Sequence, residues 1–292
     1  MTFTAEILGA LATQACLLEA GAPKPGNVSP GRPFRDMRYE DFVASAVAAG
    51  PELGRAGERQ LGETILAAVR ATRQRTSANT NLGIILLLAP LARAAAGPGE
   101  PLSAAIEAVL ERTTVADAVA AYEAIRLSRP GGLGAVPEAD VRGTPTLTLR
   151  AAMALAADRD AVAREYASGY ATTFGIGAPA LRRALSAGLS WEDAMLETYL
   201  TLLAHQPDTL IGRKLGLEAS RAVSTRAAEV LVAGGVRTAE GRKAIAAFDA
   251  DLRDPQNTRN PGTTADLTAA AIFVTLIEDA RAADRSRISR AQ

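Results

Sequence analysis

The sequence predicts an all-α fold, a single globular multi-helix domain with long functional loops. Three observations carry this: apolar residues recur at helical spacing along almost the whole chain, alanine and leucine dominate those stretches, and glycine and proline punctuate them. At 292 residues and 48% hydrophobic content the chain has enough apolar side chains for a sizeable core. Residues 1–285 read as one all-helical domain and 286–292 as a polar C-terminal tail.

The first helix follows from Ile7, Leu8, Leu11, Ala15 and Leu18, and stops at Gly21-Ala22-Pro23. Further helices are expected over Tyr39–Ala49, Gly57–Arg73, Thr80–Ala96, Leu102–Glu111, Val115–Arg126, Leu147–Leu155, Asp160–Thr173 and Ala178–Ala187. Beyond them come Trp191–Leu203, Thr209–Ala233, Ala239–Leu252 and Thr264–Arg281. Only Thr144–Leu149 alternates like a strand, and it is read as the approach to a helix.

Charge and composition exclude several functions. Lys+Arg and Asp+Glu number 32 each, so no basic excess exists to hold a nucleic-acid backbone or an anionic membrane. The most apolar stretches, Leu82–Ala92 and Leu267–Ile277, fall short of the roughly 18–20 residues a bilayer span needs. A single cysteine, Cys16, and an N-terminus lacking a basic leader point to the cytoplasm. Cys16 sits among apolar residues and reads as core.

Long non-helical segments at Pro23–Arg38, Leu127–Pro145, His205–Asp208 and Asp254–Thr263 are where function is expected. In the first, prolines stiffen the chain around Lys24, and Gly26 permits positive φ or close approach, an arrangement suited to holding a lysine against phosphate. Asp36 and Glu40 are four residues apart at a helix start. They read as an N-cap and a solvated first-turn acid, or as two carboxylates sharing a magnesium ion. Asn79-Thr80-Asn81 precedes an apolar helix, as helix caps or as the wall of a pocket. Asp208 is a good N-cap, with Arg213 and Lys214 one turn on, and the lone His205 before it reads as structural. Asn260, Gly262, Thr263 and Asp266 enter the last helix and offer backbone N–H groups to phosphate and a carboxylate to a metal or hydroxyl.

Taken in order, Lys24-Pro25-Gly26, Asp36-Met37, Asn79-Thr80 with Gly83, Gly131-Gly132-Leu133-Gly134 with Asp140-Val141, Arg159-Asp160 with Tyr166, and Asn260-Pro261-Gly262 with Ala265-Asp266-Leu267 resemble the triphosphoribosyl-dephospho-CoA synthase family. The resemblance runs from about Leu8 to Ile277. It implies an all-α transferase that uses ATP with magnesium, moving the triphosphoribosyl part of ATP onto a ribose hydroxyl of dephospho-CoA and expelling adenine. Members serving citrate lyase and malonate decarboxylase make a prosthetic-group precursor in this way. On that basis Lys24, Gly26, Asn79, Asn81, Arg213, Lys214, Asn260, Gly262 and Thr263 are expected at ATP and its phosphates. Asp36, Glu40 and Asp266 are expected in catalysis, and Asp36, Asp208 and Asp266 at magnesium.

The chain also departs from the family pattern. Ser29 replaces an aspartate, Phe34 and Asn81 replace histidines, Leu82 replaces a lysine and Arg38 a second aspartate. Two other readings therefore stay open: a related transferase with a different acceptor, such as a pterin-type one-carbon cofactor precursor, and a non-catalytic nucleotide-binding protein. A homodimer is one open assembly state.

Overall fold

The computed structural model describes residues 3–97, 99, 101–131 and 138–291, and among them the regular structure is helical throughout. The fourteen α-helices are α1 (Ala5–Gly21), α2 (Tyr39–Gly54), α3 (Leu61–Arg73), α4 (Leu82–Ala96), α5 (Leu102–Glu111), α6 (Val115–Ser128) and α7 (Leu149–Ala154), then α8 (Ala161–Ser168), α9 (Ala178–Ser186), α10 (Trp191–His205), α11 (Thr209–Leu215), α12 (Leu217–Val232), α13 (Ala239–Leu252) and α14 (Gly262–Ala291). Thr144–Thr148 leads into α7 without forming a strand, as its sequence suggested. The helix expected over Thr209–Ala233 is two: Gly216 adopts φ 90°, outside the helical region, and separates α11 from α12.

The main core is built around α4 and α14, the two most apolar stretches of the chain. Ile85, Leu87, Leu88, Leu91, Ile272, Phe273 and Val274 are fully enclosed there. Pro90 sits inside α4 and has no N–H to give the Leu86 carbonyl. The buried Tyr166 hydroxyl donates to that carbonyl at 2.6 Å, and the Tyr170 hydroxyl to the carbonyl of Leu87 at 2.8 Å. A second cluster joins α10 to α13 through Tyr199, Leu200, Leu203, Ile211, Val230 and Phe248. The α1–α2 pair packs through small residues: a side chain on Gly54 would run into the Ala5 carbonyl, and one on Gly50 into Thr13.

Buried carboxylates tie helix starts together. Asp117 accepts from the Thr114 N–H at 2.8 Å, capping its own helix, and from the Gly62 N–H at 2.7 Å, capping α3 as well. Glu165 accepts from the Thr172 and Thr173 N–H groups at 3.0 and 2.9 Å, where the chain restarts after a turn. Each satisfies donors that a helix N-terminus leaves open.

Candidate active site

A cavity of about 820 Å³ lies where α4, α8, α11 and α14 begin and where the loops before α2, α4 and α14 meet. Cations on its wall come from distant points of the chain: Arg73, Arg129, Arg159, Arg213 and Lys214. Carboxylates facing it include Glu19, Asp36, Asp160 and Asp266. Phe34, Met37, Phe42, Tyr122 and Ile125 supply an apolar part. A large anionic ligand carrying a flat ring needs this combination of surfaces.

Several polar atoms on this wall lack a protein partner. Asn81 is 5% exposed, and its Nδ2 makes no hydrogen bond; the same holds for Arg213 Nε and Asn260 Oδ1. Leaving such atoms unpaired in a folded interior is costly, and their convergence on one cavity marks it as a binding site. Asn81 occupies the N-cap position of α4 but forms no side-chain cap bond, so the first turn of that helix opens on the cavity with Gly83 and Ile84. The capping role its sequence suggested is not made.

Asp266 stands opposite. Its carboxylate lies against Gly83, close enough that any side chain there would collide with it. Desolvation, and then the nearby Glu19, Asp208 and Asp160 carboxylates, push its pKa well above the usual range, with Arg213 opposing. No hydrogen bond from the described residues satisfies it. A hard, partly desolvated oxygen donor of this kind suits a divalent cation, and Asp36, exposed on the same cavity, could join it. Among the described residues no group of three acidic, His or Cys side chains is placed to hold a metal by itself.

Arg213 is held by Asp160, whose other oxygen caps α8 through the N–H groups of Val162 and Ala163 at 2.9 and 3.2 Å. Lys214 donates to the Asn257 carbonyl at 3.1 Å, which draws the loop before α14 over α11. Desolvation lowers the Lys214 pKa. Thr263, buried, bonds Thr209 Oγ1 at 3.2 Å, and Gly262 opens α14 on the cavity wall.

Other expected site residues lie elsewhere. Lys24 is 1% exposed and does not line the cavity. Its ammonium pairs with Glu19 Oε1 at 3.0 Å and donates to the carbonyls of Glu19 and Ala22 at the end of α1, so its charge is spent on a helix C-terminus and on a carboxylate. Gly26 has the positive φ its sequence suggested, 74°, but its N–H donates to Asp249 Oδ1 at 2.8 Å, away from the cavity. Asp208 is 2% exposed and fully occupied: Oδ1 accepts from the Leu210 and Ile211 N–H groups at 2.8 and 3.1 Å, and Oδ2 from the Thr264 N–H and hydroxyl at 2.7 and 2.8 Å. It caps α11 and α14 together. Glu40 is exposed in the first turn of α2, and the acid that caps that helix is Asp41, not Asp36: its Oδ2 accepts from the Arg38 N–H at 2.8 Å. His205 ends α10, exposed and off the cavity. Of the glycine loop at 131–134, Gly131 lines the cavity, and Gly132, Leu133 and Gly134 lie outside the described residues.

Glu19, Arg73 and Arg129 also line the cavity, and neither local spacing nor the matched motifs single them out. Arg159, from the Arg159-Asp160 motif, lines it as well.

Comparison with known proteins points one way. The CitG family model, ATP:dephospho-CoA triphosphoribosyl transferase, matches residues 5–285. A 2-(5''-triphosphoribosyl)-3'-dephosphocoenzyme-A synthase of Klebsiella pneumoniae is 32% identical over 96 residues, 33% of this chain and 34% of that protein. A relative from Azotobacter vinelandii named for the same activity is 35% identical over 102 residues, 35% of this chain and 34% of its own length. These alignments thus span about a third of the curated relatives. A crystal structure described as a triphosphoribosyl-dephospho-CoA synthase from Archaeoglobus fulgidus superposes with a TM-score of 0.63 at 31% identity, covering 81% of this chain and 99% of that one. Neither the pterin-type acceptor nor the non-catalytic reading is favoured by these similarities. No helix among the described residues is long and apolar enough to cross a membrane.

Proposed function

The chain belongs to the ATP:dephospho-CoA triphosphoribosyl transferase family, and from that premise we propose that it transfers the triphosphoribosyl unit of ATP to a ribose hydroxyl of 3'-dephospho-CoA, releasing adenine. The observation that carries this reading is the convergence of unpaired polar atoms on Asn81, Arg213 and Asn260 with an unbonded Asp266 carboxylate around one cavity.

The reaction is a displacement at the anomeric carbon of ATP through an oxocarbenium-like state, so charge placement matters more than covalent chemistry. Arg213 and Lys214, with Arg159 and Arg73, would neutralise the triphosphate, and the open first turns of α4 and α14 add N–H donors. Asn79, Asn81 and Asn260 would hold sugar and base edges. Asp36 and Asp266 would hold magnesium, which when bound adds positive charge beside the phosphates. Phe34 and Tyr122 give adenine an apolar surface on which to sit. A cytoplasmic location supplies ATP and keeps Cys16 reduced. The test is incubation with ATP, magnesium and dephospho-CoA, following free adenine by chromatography and the adduct by mass. Absence of adenine release under saturating conditions would refute the proposal.

A further inference from the structure

The mechanism above leaves one buried charge without a task. Glu19 is 3% exposed, yet it is on the cavity wall, and Lys24 stands behind it at 3.0 Å with 1% exposure. Burying both charges costs desolvation that their mutual attraction does not reliably recover, so such a pair is weak as a device for stability alone. Its geometry offers another use. Lys24 is fixed by the carbonyls that end α1, and it fixes Glu19 in turn. The carboxylate is thereby fixed at the cavity by its ion pair, on the same wall as Asp266, and both raise the pKa of Cys16, which burial pushes up to about 12. Asn81, deeply buried with Nδ2 unpartnered, lines the same cavity and adds a donor to it.

Glu19 has no part in the magnesium site that Asp36 and Asp266 would form, and a bare carboxylate repels phosphate, so the triphosphate belongs with Arg213 and Lys214 on α11 and Arg159 before α8, and a group that donates hydrogen bonds belongs at Glu19. Adenine amino groups, the pantetheine hydroxyl and amides, and ribose hydroxyls all donate; of these the attacking ribose hydroxyl is the one whose O–H grows more acidic as its oxygen bonds to carbon, so a carboxylate serves it best. Resting on the transferase reading, we propose that Glu19, held by Lys24 as a positioning residue, accepts the hydrogen bond of the acceptor's attacking ribose hydroxyl. The Lys-Pro-Gly segment then serves the acceptor through Glu19, in place of the phosphate contact its sequence suggested.

The test is calorimetric binding of dephospho-CoA and of its 2'-deoxy and 3'-deoxy analogues to the wild type, to Glu19→Gln and to the double variant Glu19→Met/Lys24→Met. The double variant removes both charges at similar volume, which keeps the interior free of an unpaired ion. Wild type should bind dephospho-CoA roughly tenfold or more tighter than the analogue lacking the attacking hydroxyl, as a hydrogen bond to a charged acceptor allows. In the double variant that ratio should fall to about one, with affinity for the deoxy analogue unchanged, a pattern that general loosening of the fold would not give. Glu19→Gln should lose most of the ratio. A double variant or Glu19→Gln that keeps the wild-type ratio overturns the Glu19 assignment alone. Failure of wild type to bind dephospho-CoA overturns the transferase reading and this inference with it.

Discussion

Replacing Asp208 with alanine separates a structural carboxylate from a metal ligand. The substitution strips four hydrogen bonds, leaving the N–H groups of Leu210, Ile211 and Thr264 and the Thr264 hydroxyl without a partner inside the protein. A lost N-cap costs about 1–2 kcal/mol, and here two helices lose theirs together. Burial works the other way, since desolvation raises the Asp208 pKa and the carboxylate is held at some cost. A net loss of about 3 kcal/mol follows. For a chain of 292 residues the unfolding entropy is about 0.6 kcal/mol/K, so the melting temperature should fall by about 5 °C in metal-free buffer. Differential scanning fluorimetry and urea titration would both read it. A magnesium ligand would behave oppositely: its removal relieves crowding with Asp266, leaving metal-free stability unchanged or higher. A melting temperature within about 1 °C of wild type without magnesium would refute the double-cap account.

Arg213→Ala should weaken ATP binding by about tenfold or more while the fold survives, because the residue is partly exposed and its partner Asp160 keeps its helix-capping bonds; isothermal titration decides. Gly83→Ala drives a methyl group into the Asp266 carboxylate and should cut magnesium-dependent ATP binding sharply, read by titration with and without EDTA. The raised pKa of Asp266 means that the folded state holds this proton more tightly than the unfolded one. Metal-free stability should therefore fall as pH rises from about 4 toward the folded pKa and level off above it, and Asp266→Asn should flatten that slope in denaturation curves. Tyr166→Phe leaves the Leu86 carbonyl opposite Pro90 without a donor and should cost about 1–3 kcal/mol in urea denaturation.

The helices were legible because apolar spacing and glycine or proline stops are local properties, and α5 and α13 begin and end where the sequence placed them. The break at Gly216 was not, since glycine inside a helical pattern is tolerated and only packing decides its φ. Site residues divide in the same way. Asn81, Asn260 and Asp266 stand at helix starts, where polar residues before an apolar run announce an open N-terminus, and they meet Arg213, from the last turn of α11, at the cavity. Lys24 misled because a proline-flanked lysine reads as exposed, whereas the carbonyls ending α1 draw it inward. Arg73 and Arg129 end or follow helices whose own sequences give no reason to single them out. Only the tertiary fold brings those ends to one place.

The segment between α1 and α2 joins two helices packed against each other along a glycine-lined seam, so both of its ends are anchored in packed structure. Midway it is pinned again, by the Gly26 N–H and Arg32 to Asp249, and by Asn27 Nδ2 to the Tyr199 hydroxyl at 2.9 Å. A segment fastened at three points has already surrendered most of its conformational entropy during folding. When a substrate reaches Asp36, little ordering is left to oppose capture, and more of the contact energy appears as affinity. The same fastening has an evolutionary side: residues between the pins can be exchanged one at a time without unseating their neighbours. Ser29, Phe34 and Arg38, three of the departures from the pattern the sequence resembles, all lie on this fastened segment.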